Sequence, residues 1–138
     1  SELPFNMKEA KRYFELAIAS HNPDGHFGMA TLFVSAAASN DDSLTKKPLS
    51  QDKKLARAVK HLESAAYQGH AFAMFNLGLA HIYGYGVGAV DLARGAEWLV
   101  QSGLPEGYFA ASHHAAAVGD RAKQARYKRL AEELGYFE

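Results

Sequence analysis

Apolar residues recur every three or four positions in seven stretches of this chain, and no stretch alternates residue by residue as a half-buried strand would. The pattern predicts helices over about 6–20, 26–39, 51–67, 70–83, 91–102, 106–118 and 120–134. Asn6 followed by Glu9 reads as a capping box, and Asp91 and Asp120 read as N-caps. Gly135 suits a C-terminal stop, where the chain turns left-handed. Between the second and third helices lies an insertion, 40–50, that is polar and contains Pro48. It reads as an exposed surface loop, with a partner-binding insertion as the alternative.

The helices are of two alternating kinds. Residues 91–102 align with 54–65 at a shift of 37, and 6–17 and 120–131 carry the same spacing. One column is always small: Ala17, Ala65, Ser102 and Ala131. Four positions earlier stands a ring: Tyr13, His61, Trp98 and Tyr127. A helix places such positions on one face, one turn apart, so the small residue admits a neighbouring helix and the ring fills the space beside it. In the second kind, residues 24–33, 69–78 and 106–115 align. Phe27, Phe72 and Phe109 then coincide, followed by a small column of Gly28, Ala73 and Ala110. Together these columns predict one all-α domain over 1–138, an α-solenoid of about three helix–turn–helix units.

Gly84-Tyr85-Gly86-Val87, followed by Asp91, Arg94 and Trp98, resembles the Sel-one-like repeat, a relative of the tetratricopeptide repeat. Ala71, Ala73, Leu77 and Gly78 match the first helix of that repeat, and Ala58, Ala65, Ala66 and Gly69 complete its second helix in the preceding unit. The match is specific in the middle of the chain, and weaker copies extend over nearly all of it. There are departures: His81 replaces a tyrosine, Gly95 an alanine and His114 a leucine, and one extra residue separates Val87 from Asp91. The third unit lacks the glycine loop, as a solenoid end facing water would. The resemblance implies a right-handed, tetratricopeptide-like superhelix. It also implies an adaptor role, since members of the family assemble proteins in bacterial signalling and host interaction, envelope assembly and eukaryotic quality control.

Stacked helix pairs curve around a concave surface. On the helix over 70–83, His70, Ala73, Met74, Leu77, Gly78 and His81 are expected to face the core, which leaves Phe72, Phe75, Leu79 and Tyr83 as a second apolar stripe beside Asn76. The stripe either packs between neighbours or presents one side to a ligand. Equivalent positions in the flanking units are more polar: Thr31, Ser35, Ser112 and His113. With the stripe they would make a groove for a peptide or helix, apolar within and hydrogen-bonding at its rim.

Composition narrows the alternatives. Fifteen Lys and Arg balance fifteen Asp and Glu among 138 residues, so no net field draws in nucleic acid or an anionic membrane. Arg121, Lys123, Arg126, Lys128 and Arg129 form the one basic cluster; Glu132 and Glu133 follow within a turn, and the face reads as a solvated cap. No apolar run reaches the roughly 20 residues of a membrane helix. There is no cysteine, which excludes disulfides and thiolate metal sites.

The chain starts at Ser1, so the compartment stays open: cytoplasmic, or periplasmic or secreted if a leader was removed. Seven histidines invite a metal, yet none forms the i, i+4 pair of a zinc helix; His61, His81 and His114 fall in packing columns. No metal or cofactor is expected. The glycines at 84, 86 and 88 follow a helix and lack a Lys-Ser/Thr ending, so they read as a turn, not a phosphate loop.

The sequence therefore points to a non-enzymatic scaffold for an unidentified protein or peptide, monomeric or weakly self-associating. Two other readings stand. One is a piece of a longer repeat array onto which the apolar tail 134–138 would dock. The other is a hydrolase that uses His113 or His114 with a nearby carboxylate.

Overall fold

A computed structural model describes residues 6–137. Ser1, where the leader question arises, and Glu138, the last residue of the apolar tail, lie outside the described residues. Seven α-helices and no strand are present among them. They are α1 (Met7–Ala19), α2 (Pro23–Ser39), α3 (Gln51–Tyr67), α4 (Ala71–Tyr83), α5 (Leu92–Gln101), α6 (Pro105–Ala117) and α7 (Arg121–Glu133). Each expected helix forms. The largest displacement is at α2, which starts three residues early because Asn22 caps it and Pro23 supplies a helical φ at the first position. Asn6, Ser50, Asp91 and Asp120 cap α1, α3, α5 and α7, each accepting the amide three residues on. The reverse bond from the Glu9 side chain, which would complete a capping box, is not among these contacts.

The anticipated repeat domain comprises two compact units that divide between His70 and Ala71. Each is described by itself, α1–α3 in one and α4–α7 in the other. Consecutive helices pack on one another within each.

The small column serves two purposes. Ala65, Ser102 and Ala131 are buried, while Ala17 is half-buried. In three of these four helices the same residue also closes the helix end. The carbonyls of Ala17, Ala65 and Ala131 accept the amides of Asn22, His70 and Tyr136, five residues on, at 3.0–3.1 Å. The intervening His21, Gly69 and Gly135 turn left-handed, as this end motif requires. His21 does so at φ 59 without the freedom of glycine. Helix α5 ends sooner, and Ser102 compensates: its Oγ donates to the Leu99 carbonyl (2.6 Å) and accepts the Leu104 amide (3.2 Å).

Glycines bring other crossings to backbone contact. A Cβ on Gly78 of α4 would stand 2.8 Å from the Gly95 carbonyl of α5, and one on Gly95 would stand 2.7 Å from the Gly78 carbonyl. Gly25 of α2 lies equally close to the Ile18 amide and Phe14 carbonyl of α1. The alanine of the family pattern therefore has no room at position 95.

The insertion differs from an exposed loop. Leu44 is buried, and Asp42 meets the buried Lys54 of α3 at 3.0 Å, whose Nζ also approaches the Ala36 carbonyl of α2 (3.5 Å). The hydroxyl and amide of Ser43 both donate to Asp41, which holds that carboxyl below its usual range. An apolar plug inside a polar segment ties the loop to the α2–α3 pair.

Replacing Gly95 with alanine should lower stability by about 1–2 kcal/mol in urea denaturation. The roughly 1 kcal/mol gain in helix propensity is outweighed by the forced separation of α4 from α5. Unchanged or raised stability would show that the crossing is looser than described.

Candidate functional site

Helix α2 carries a face on either side of its core edge. Phe27, Thr31 and Ser35, one turn apart, form one of them. With Phe14 of α1, Gly28 and Leu32 they line an open concavity of about 560 Å³, and Asp24 stands at its end. Thr31 and Ser35 are exposed, and the Thr31 hydroxyl is turned back to the Phe27 carbonyl (3.0 Å). His70 stacks on Phe27 with ring centroids 4.5 Å apart, and its Nε2 lies 3.0 Å from Asp24 Oδ1. An apolar wall with hydroxyls at the lip and a carboxylate at one end is thus built from α1 and α2.

The second face of α2 holds a pair that the sequence did not disclose. His26 Nδ1 and His61 Nδ1 of α3 are 2.9 Å apart, with their rings tilted, and Phe33 stacks on His61 at 6.0 Å. One nitrogen donates and the other accepts, so at least one ring must be neutral. Burial, then the charges of His26 and Arg57, push the His61 pKa down to about 4. Burial also lowers that of His26. The pair opens on a concavity of about 550 Å³ floored by Met29, Phe33 and Leu44, with Lys11, Glu15 and Arg57 around it. Both histidines sit in columns that meet across the α2–α3 crossing, which is the signal that would have paired them.

The other sequence-nominated residues belong to the second unit. On α4, Phe72 is 58% and Tyr83 73% exposed, whereas Phe75, Asn76 and Leu79 are half-buried. The stripe therefore divides: its ends face solvent and its middle is partly packed. The Asn76 carbonyl accepts the Tyr85 hydroxyl (3.4 Å), and burial raises the pKa of that phenol. Gly84, Gly86 and Gly88 all take positive φ in the turn to α5, which the Asp91 amide closes onto the His81 carbonyl (2.9 Å).

On α6, Ser112 is not a rim residue. It is buried, and its hydroxyl donates to the Phe109 carbonyl (2.6 Å), a bond that satisfies it inside the packed face. His113 is exposed and sets its ring edge-on to Phe109 (4.5 Å), which Tyr136 covers from the tail at 4.7 Å. Of the apolar tail, Tyr136 thus docks on its own α6, while Leu134 and Phe137 remain exposed.

His114 faces elsewhere, in a concavity shared with Asp120, Lys123 and Tyr127. No group of three histidines and carboxylates able to hold a metal occurs among the described residues. No helix among them is long and apolar enough to cross a membrane. Comparison of the chain with protein-family models, curated proteins and solved structures found no match.

The histidine pair predicts a pH dependence. Each ring binds its proton less readily folded than unfolded, so the stabilisation is complete above about pH 6.5. It is lost as pH falls toward about 4. For His61 the loss is on the order of 2 kcal/mol after solvent screening. Urea denaturation from pH 7 to 4.5 should show the wild type losing stability more steeply than His61→Phe. Parallel curves would contradict the assignment.

Proposed function

We propose that this chain is a protein-interaction scaffold of the Sel-one-like kind, its helix pairs wound right-handed, with a peptide or helix of another protein as its ligand. The observation that carries this reading is the concavity on α2. Phe14, Phe27 and Leu32 supply an apolar wall, Thr31 and Ser35 an accessible polar lip, and Asp24 a charge at the end. That composition matches the core and rim of a protein-binding patch. Exposed Phe72 and Tyr83 on α4 offer a second element of the same kind in the other unit.

The aromatic column supports the reading further. Phe27, Phe72 and Phe109 hold one repeat position: His70 stacks on the first, His113 and Tyr136 pack on the third, and the second is the one more than half exposed. An exposed ring held at a fixed position is the kind of anchor a protein-binding patch uses.

Affinity capture from the native lysate with the wild type and with a Thr31→Arg, Ser35→Arg double variant tests the proposal. Both positions are solvent-facing, so the variant should keep its helicity and melting within about 0.5 kcal/mol of the wild type. The captured partner should be lost. A folded variant that retains every captured protein would refute the reading.

A further inference from the structure

Helix α1 exposes a surface that the fold covers elsewhere. Its Tyr13, Leu16 and Ala17 recur in α7 as Tyr127, Leu130 and Ala131, the same residue types at the same spacing. In α7 this face belongs to a packed pair: Tyr127 stacks on Tyr108 of α6 at 6.4 Å, Leu130 is half-buried, and Ala131 is buried. The pair α2–α3 is built alike. His61, in the ring column, meets His26, which holds the position of Tyr108, and Ala58 and Ala65 on either side of His61 are buried.

In α1 the corresponding residues are left open. Tyr13 is 69% and Leu16 64% exposed, and Ala10 and Ala17 are only half-buried. The contact of α1 with α2 runs through other residues, Phe14 and Ile18, which close on Gly25 and Gly28. The helix thus has the sequence of the second member of a pair, and among the described residues no helix covers this face.

We propose that this face of α1 is the docking site for one helix with the chemistry of α6. Its recognition elements are a ring in the first turn, to stack on Tyr13, and alanine-sized residues three and seven positions later, as Ala111 and Ala115 follow Tyr108. The ring pair sets the register, and the small residues let the backbones approach until Ala10 and Ala17 are sealed. The ring contact already exists inside the chain as Tyr108 on Tyr127, with Ala111 and Ala115 buried on the same helix, so the ligand's chemistry is read from the α6–α7 pair. The site is separate from the α2 concavity and stands or falls apart from it.

A synthetic peptide of residues 104–119, carrying the α6 sequence, serves as the probe. Titrated to millimolar concentration against the full chain, it should bind saturably by fluorescence anisotropy and slow hydrogen exchange in the amides of α1. Leu16→Glu, at an exposed position, should fold as the wild type does and weaken binding about tenfold or more. Thr31→Arg should leave it unchanged. Absence of saturable binding, or binding undiminished by Leu16→Glu, would overturn the proposal. So would self-association of the chain that Leu16→Glu abolishes, because the face would then belong to a second copy.

Discussion

The structure depends on helices approaching until the backbone of one touches the next, which is possible only where the side chain between them is absent or a methyl group. Gly78 and Gly95 show the limit, each helix placing a carbonyl where the other's Cβ would be. Ala65 and Ala131 show the commoner form. There the small side chain is fully buried and the carbonyl of the same residue ends the helix. One position therefore fixes both how near the helices come and where the chain turns away. A larger residue at such a site would disturb packing and direction together.

Rings and charges take what the crossings leave. Phe27, Phe72 and Phe109 flank the small column of the second-kind helices, so they are held in place without being consumed by the core. The surfaces around them differ: an α2 concavity lipped by hydroxyls, an exposed α4 phenylalanine, an α6 ring closed over by the tail. Across the α2–α3 crossing, the same logic places His26 against His61 and makes a polar contact conditional on neutrality. The proposed interaction surface rests on rings held at fixed positions by this frame.

Capping residues made α1, α3, α5 and α7 legible, while α4 and α6 were legible through the repeat columns they share with α2. What stayed hidden depended on contacts distant in sequence. Leu44 is one of two leucines in an otherwise polar loop, and its burial beside the Lys54–Asp42 pair shows that the loop is anchored. Ser112 reads as a rim hydroxyl until its bond to the Phe109 carbonyl makes its burial tolerable. His26 and His61 are separated by 35 residues, and periodicity along a single helix cannot pair them. Phe75 and Leu79 were visible as a stripe, but their half-burial depends on packing that the pattern of one helix does not contain.

The most direct test of the account is the cost of enlarging one small-column residue. Ala65→Leu in α3 should reduce the free energy of unfolding by about 1–3 kcal/mol, because the added atoms enter a site with no exposed surface. Ala38→Leu, on the exposed side of α2, should change it by less than about 0.5 kcal/mol. If urea denaturation finds Ala65→Leu as stable as the wild type, close approach at the alanine-sized positions does not hold this fold together.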